Sequence, residues 1–296
     1  MKKIFLDVTF ATLCAALLAA CGGDSGSSAD SLDESSSSSE MDGAESSDSE
    51  DLNSNGSEGS EGNSSSASEG VEGSSASVPG GSSDASAYDV VIGTLTDSRD
   101  GQTYRTVKIG GQVWMAKNLN YETDKSWCYD NDPANCAKYG RLYTWAAAMD
   151  SVGEWSTSGK GCGYGKTCSV ASAGSATLVR GVCPKGWHLP SHDEWVALFT
   201  AVGGSFTAGS KLKSQTGWTA YSDIPNEDAF GFSALPAGCR NGNGGYYDEG
   251  NNAIFWSSSE YDGYYAYYML LTYDGDLANL SYNDNNLGFS VRCLKD

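Results

Sequence analysis

The rhythm of apolar and polar positions changes twice along the chain. Residues 8–20 form an unbroken apolar run, VTFATLCAALLAA, and residues 22–88 carry no periodic pattern. From residue 89 onward, short alternating segments are separated by Gly, Asn and Asp. In that third region the alternation over Thr103–Ile109 and over Gln112–Lys117, joined by Gly110-Gly111, predicts a β-hairpin. Leu142, Trp145 and Met149 share one stripe at helical spacing, which predicts a short helix over 141–149. A second helix is predicted from Ser191, a good N-cap, with Glu194 three residues on to complete a capping box. Trp195, Leu198 and Val202 mark its apolar face and Gly203-Gly204 its stop. Tyr264–Tyr273 and Leu277–Tyr282 flank Asp274-Gly275, a strong hairpin signal, and Gly288–Leu294 reads as a closing strand. The pattern is therefore mixed α and β, with strands dominant.

The apolar run after Lys2 and Lys3 is too short to span a bilayer as a permanent helix. It ends in Leu18-Ala19-Ala20-Cys21, so residues 1–20 read as a lipoprotein signal peptide and Cys21 as the lipidated residue; plain secretion with cleavage near Ala20 is the rival. Gly22 follows, not an Asp that would retain the protein at an inner membrane, so the expected location is the outer membrane or cell surface. Residues 21–88 form the linker. Of the 67 residues from 22 to 88, 25 are Ser, 11 are Gly, 15 are acids and none is basic, so no core can offset the chain entropy. A flexible tether of that length spans about 45 Å, more when swollen by its own charge.

Charge follows the same boundaries. The formal net charge of −20 is mostly the linker's, and residues 89–296 carry only −6. No basic stripe exists to replace phosphate counterions, which argues against nucleic-acid binding. The 208 residues from 89 to 296 suffice for one substantial domain. Seven cysteines lie there, and export to an oxidising compartment makes disulfides the default. Cys128 with Cys136 and Cys162 with Cys168 are placed to staple local loops, and Cys183 with Cys293 to close a long one. Seven is odd, which leaves Cys239 free or paired elsewhere. A zinc site is the competing reading, but no CxxC pair supports it.

Five phrases then point to a family: Val113–Asn120 (VWMAKNLN), Gly186–Trp195 (GWHLPSHDEW), Gly231–Gly238 (GFSALPAG), Phe255–Glu260 (FWSSSE) and Gly288–Cys293 (GFSVRC). Together they resemble the Fibrobacter succinogenes major paralogous domain, typical of exported bacterial lipoproteins and without an established activity. That family is similar to the C-type-lectin-like fold of formylglycine-generating enzymes. The resemblance implies an α+β domain over 89–296, two helices beside a small twisted antiparallel sheet, stapled by disulfides. Three roles are open to such a domain: a non-catalytic recognition module, a formylglycine-type oxidase or other metal-assisted enzyme, or a structural envelope protein. Family members often carry an aromatic where this chain has Cys239, which agrees with a free thiol there.

Candidate chemistry separates these roles. His188 and His192 have metal-pair spacing, but Pro190 intervenes and the helix begins at His192, so they do not share a helical face. His188 is expected to pack or hydrogen-bond near the sheet and His192 to be exposed. Cys239-Arg240 invites comparison with redox cysteines but has no partner cysteine beside it. Ile224–Asp228 and Tyr282–Asp284 echo lectin calcium loops, with plain turns as the alternative. No catalytic residue, metal or cofactor is expected.

The densest signal is in residues 246–282, which hold nine of the 17 tyrosines among Asp, Asn, Ser and Gly, the vocabulary of binding surfaces. Tyr265, Tyr267 and Met269 are expected to fill a sheet core at least in part. Tyr261, Asp262, Tyr264 and the 283–286 run, with Asn283, Asp284 and Asn286, are expected at the surface as ligand contacts. By the same resemblance, residues 255–292 look like the variable display region that this fold presents in proteins diversified by retroelements. The expected partners are the membrane, through the lipid, and a polysaccharide or cell-surface protein.

Overall fold

The computed structural model describes residues 91–168, 170, 177–221 and 225–296. The expected signal peptide, the expected lipidation site Cys21 and the expected linker lie outside the described residues. Among the described residues no helix is long and apolar enough to cross a membrane.

The chain opens with β1 (Val91–Thr96), β2 (Thr103–Ile109) and β3 (Gln112–Met115). β2 and β3 form the expected hairpin, closing with Ile109 opposite Gln112. Two small pieces, β4 (Ser126–Trp127) and β5 (Leu142–Tyr143), pair with each other around helix α1 (Pro133–Tyr139). Asp132 caps α1 by accepting from the Ala134 amide, and Pro133 supplies its fixed first position. The helix expected over 141–149 is only α2 (Trp145–Ala148). Its first part is strand because Tyr143 exchanges both backbone hydrogen bonds with Phe289, at 2.8 and 3.0 Å, a tertiary pairing that overrides the helical stripe.

After β6 (Trp187–His188) comes α3 (His192–Ala201). Its capping box is complete, with Ser191 and Glu194 in the expected roles. Trp195, Leu198 and Val202 are buried, as the stripe required. Helix α4 (Ser205–Leu212) follows directly, and β7 (Ala237–Arg240) pairs with β8 (Tyr246–Glu249). The remaining strands are β9 (Asn252–Glu260), β10 (Tyr265–Thr272), β11 (Ala278–Asp284) and the terminal β12 (Leu294–Lys295). The turn between β10 and β11 contains Asp274-Gly275 as expected, and the buried Lys213 ammonium donates to the Thr272 and Gly275 carbonyls beneath it.

The antiparallel sheets are separate. One runs β1-β2-β3-β12-β6, a second runs β11-β10-β9, and β4-β5 and β7-β8 are two-stranded. The three-stranded sheet lies between two cores, as the strand alternation dictates. Ile254, Trp256, Ala266, Tyr268 and Leu270 face a core that includes Trp145 and the Cys183–Cys293 disulfide. Ala253, Phe255, Met269, Leu271 and Ala278 face a second core built on Trp114, Trp195 and Phe232 under α3 and α4.

Gly288–Leu294 is the main departure from the expected strands. Only its last residue belongs to a sheet strand, β12. Residues 288–293 thread between elements: Gly288 bridges Arg240, Phe289 bridges Tyr143, and Ser290 bridges Phe255. Val291 and Cys293 accept backbone hydrogen bonds from Leu119 and Met115. Within this thread Arg292 is fully buried. Its guanidinium donates to Asn118 Oδ1 and to the carbonyls of Met115, Phe232 and Ser233, and it lies over the Phe232 and Phe255 rings.

Three disulfides form with the expected pairing: Cys128–Cys136, Cys162–Cys168 and Cys183–Cys293. Cys239 corrects the expectation of a free thiol. It is fully buried and disulfide-bonded.

Candidate binding face

The turn from β9 into β10 carries the first of the predicted contact residues. Asp262 builds that turn, its Oδ1 accepting from the amides of Tyr264 and Tyr265 at 2.8 and 2.9 Å. Tyr261 and Tyr264 stand on either side and are half exposed, at 50% and 53%. The turn sends them apart. Tyr264 meets Tyr164 edge to face, with centroids 5.1 Å apart. Tyr261 stacks on Tyr282 of β11, with centroids 3.7 Å apart and ring planes 5° from parallel.

Register explains the second half of that stack. Tyr267 on β10 is directly opposite Tyr282 on β11, and Tyr265 is opposite Asp284. These side chains share the sheet face that α3 and α4 cover farther along, at Met269 and Leu271. Helix α3 begins at His192, so past that point the face lacks a helical cover. His192 packs edge-on to Tyr267 with centroids 4.9 Å apart. Tyr261 and Tyr282 both stand at steep angles to Tyr267, at 77° and 81°. The result is a cluster of Tyr261, Tyr265, Tyr267, Tyr282 and His192, with Tyr282 45% exposed. The Tyr282 hydroxyl beside it raises the pKa of the Tyr261 phenol.

The serine phrase positions this end of the sheet. β9 and β10 lose register between Trp256 opposite Tyr268 and Glu260 opposite Ala266. Ser257, Ser258 and Ser259 bulge there, all buried, and each finds a partner. Trp145 Nε1 donates to the Ser257 carbonyl at 2.8 Å, the Ser258 amide to the Pro190 carbonyl at 2.8 Å, and the His192 amide to Ser259 Oγ at 3.0 Å. The bulge therefore fixes the start of α3 against the tyrosine face.

The polar candidates divide by task. Asn283 is half-buried on the opposite sheet face, beside the buried Tyr268 phenol. Burial raises the Tyr268 pKa, while its hydrogen bonds to Ser281 and Asn283 act the other way. Asp284 Oδ1 accepts from the Asn286 amide at 2.8 Å, and Asn286 is exposed. Asn285 is buried and closes the loop onto Tyr264, its amide donating to that carbonyl at 2.9 Å. Asp262, Asn283 and Asp284 thus hold the loops in shape, and Asp262 meets solvent together with Tyr261, Tyr264 and Asn286. Tyr265 and Tyr267 are half-buried and Met269 fully buried, the mixed outcome expected of them. Tyr282, Tyr267 and His192 were not among the predicted contacts. The period of two across the β10–β11 hairpin is the signal that pairs Tyr267 with Tyr282.

The histidines separate as expected, with His192 half-buried and not exposed. His188 is buried, its Nε2 2.9 Å from Glu194 Oε1 and its Nδ1 2.8 Å from Asp296 Oδ1. Burial opposes the imidazolium, but the two carboxylates outweigh it and raise the His188 pKa. For Glu194 burial is likewise outweighed, by His188 and the Ser191 cap, and its pKa is lowered. Among the described residues no group of three or more His, Cys, Asp or Glu side chains is placed to hold a metal ion.

A family model, the Fibrobacter succinogenes major domain, matches residues 107–295. The chain belongs to the Fibrobacter succinogenes major domain family. The match takes in the second strand of the first hairpin, both longer helices, the three disulfides and the whole tyrosine cluster; β1 precedes it. No curated protein and no solved structure matches the chain. In this Fibrobacter succinogenes major domain, then, the tyrosine cluster is read from its own geometry.

Proposed function

We propose that the domain is a non-catalytic recognition module that binds a glycan through the face formed by Tyr261, Tyr265, Tyr267 and Tyr282. The observation that carries this is the Tyr261–Tyr282 stack, about half exposed beyond the end of α3. Large, rigid, amphipathic phenols presented to water suit the C–H faces of sugar rings. Asp262, Asp284 and Asn286 at the rim offer oxygens to sugar hydroxyls. A second reading, a protein surface as ligand, is favoured by the number of clustered tyrosines, since Tyr is enriched at the centres of protein interfaces.

The scaffold reading is a C-type-lectin-like domain. It is supported by two adjacent helices, small antiparallel sheets and a disulfide joining residue 183 to the last strand region. The chain is proposed to sit in the outer membrane or at the cell surface, held by lipid on Cys21 with the linker as tether; mass spectrometry of the mature N-terminus checks this. The enzyme alternative draws no support from Cys239, which is buried and already bonded.

The test is a glycan array run alongside pull-down from cell-surface protein, comparing the parent with Tyr261→Ala/Tyr282→Ala. Saturable binding that the double variant loses supports the face, and the arm in which it occurs names the ligand class. Equal binding by parent and variant removes the face from consideration.

A further inference from the structure

Away from the tyrosine cluster, a groove of 570 Å³ opens between the turn from β1 to β2, the segment after β3 and helix α1. This lies within the range of about 300–1,000 Å³ that accommodates small ligands. One wall is polar. Gln102 Nε2 donates to Asp100 Oδ2 at 2.6 Å and to the Asn120 carbonyl at 3.0 Å, and Asn120 Nδ2 donates back to Gln102 Oε1 at 3.1 Å. That relay leaves Asn120 Oδ1 buried with no donor. Beside it Arg141 and Glu122 pair at 2.6 Å, the carboxylate largely in solvent and the guanidinium pinned by a second donation to the Ser126 carbonyl.

The other wall is apolar and stiff. It consists of Pro133, the Cys128–Cys136 disulfide and the Tyr121 ring. Tyr121 is fixed by the Arg99 guanidinium 3.9 Å from its centroid and by the edge of Trp155 at 5.5 Å. Arg99 is itself held on Asp97 by contacts of 2.6 to 3.1 Å. Little ordering cost therefore falls on binding here, which is the condition for useful affinity from a small contact area.

We propose that this groove is a second binding site, for one or two rings of a neutral glycan. A sugar ring has an apolar C–H face and a hydroxyl edge, and the two walls match that division. The Glu122–Arg141 pair presents an acceptor and a donor side by side, the arrangement that receives two adjacent hydroxyls. The Asn120 amide turns about its soft terminal torsion, breaking only its bond to Gln102, and brings the unpartnered Oδ1 to a ligand hydroxyl. Two carboxylates against one guanidinium make the lining acidic, so uronic acids are disfavoured. This assignment does not depend on the tyrosine face.

The test titrates the full chain with neutral disaccharides (cellobiose, maltose, xylobiose) and with digalacturonic acid, by calorimetry. The expected result is saturable binding of at least one neutral probe and none of the uronate. Asn120→Ala is expected to weaken it at least tenfold and Glu122→Ala, at an exposed position that does not threaten folding, at least threefold. Tyr261→Ala/Tyr282→Ala is expected to leave it unchanged. The proposal is overturned if no neutral probe binds, if digalacturonic acid binds as tightly, or if Glu122→Ala binds like the parent. Loss of groove binding in the tyrosine variant alone would also overturn it, and would assign that binding to the other face.

Discussion

Arg292 offers the sharpest test of how this scaffold is held together. Arg292→Met keeps most of the side-chain length and the packing against Phe232 and Phe255, and removes only the guanidinium. Four acceptors then lose their donor: Asn118 Oδ1 and the carbonyls of Met115, Phe232 and Ser233. At the low end of the cost of a stranded buried acceptor, about 1.2 kcal/mol, they total about 5 kcal/mol. Relief from burying the charge works the other way. Burial pushes the Arg292 pKa down to about 9, so the folded state tolerates the charge at a cost. Replacing it with an apolar group offsets about 2 kcal/mol. The net expectation is a loss of about 3 kcal/mol, a large part of a typical domain's stability of about 5–15 kcal/mol. With a urea slope of about 2 kcal/mol per molar, the unfolding midpoint of the disulfide-intact protein falls by about 1.5 M. Arg292→Lys, which keeps the charge but not the fork, is expected to fall roughly halfway. A methionine variant that unfolds within about 0.3 M of the parent, or later, would refute the reasoning. The thread would then be held by packing alone.

The His188–Glu194 contact predicts a pH window. The His188 pKa is raised, so its contribution is full below the ordinary histidine value of 6.5 and is lost as pH rises through the folded value; the Glu194 pKa is lowered, so its contribution is present above 4.5 and is lost as pH falls through the folded value. Urea midpoints of the parent should therefore peak between pH 4.5 and 6.5 relative to His188→Gln, and parallel pH curves would contradict this. Among the disulfides, opening Cys183–Cys293, which spans 110 residues, should cost more than opening Cys128–Cys136, which spans 8. The chain-entropy limits are about 5 and about 2.5 kcal/mol, and thermal midpoints of the paired alanine variants should rank in that order. Burial raises the Glu260 pKa while its Oε2 accepts from the Cys168 amide at 2.8 Å. Glu260→Gln keeps that acceptor and removes the buried charge, so it should raise the urea midpoint at pH 7 and leave it nearly unchanged at pH 4.

What could be read in advance was local. The first hairpin, the Ser191–Glu194 capping box, the stripe of α3, the Asp274-Gly275 turn and the three disulfides each depend on residues close in sequence or on simple pairing. All are present. The failures were tertiary. Leu142 opens a helical stripe, but it and Tyr143 are strand because Phe289, far along the chain, pairs with Tyr143. Residues 288–293 have strand composition but lie where single bonds to several elements serve better than a ladder to one. Parity among seven cysteines leaves Cys239 either free or paired elsewhere, and it is bonded. In the candidate face Tyr261 and Tyr264 were correctly left in water, but their partners Tyr282 and Tyr164 depend on a turn and a register that composition does not encode.

The phrases that carry the family likeness and the residues that form the tyrosine face lie in different places, and this bears on what each is for. GWHLPSHDEW supplies His188, Ser191, Glu194 and Trp195, all of which cap, bridge or fill the body. FWSSSE supplies the bulge that meets Trp145, Pro190 and His192. GFSVRC supplies the buried thread with Arg292 and Cys293. Tyr261, Tyr264, Tyr265, Tyr267 and Tyr282 all fall in the interval after Glu260 and before Gly288, which contains none of those phrases. The interval is a hairpin held at both ends, at Glu260 by the register with Ala266 and at Gly288 by Arg240. A segment so fixed can change its outward side chains without disturbing either core, provided the inward positions Ala266, Tyr268, Met269, Leu270, Leu271 and Ala278 are kept. The scaffold residues are accounted for by stability. The exposed tyrosines Tyr261, Tyr264 and Tyr282 belong to neither core, which is what supports the recognition role proposed for this face.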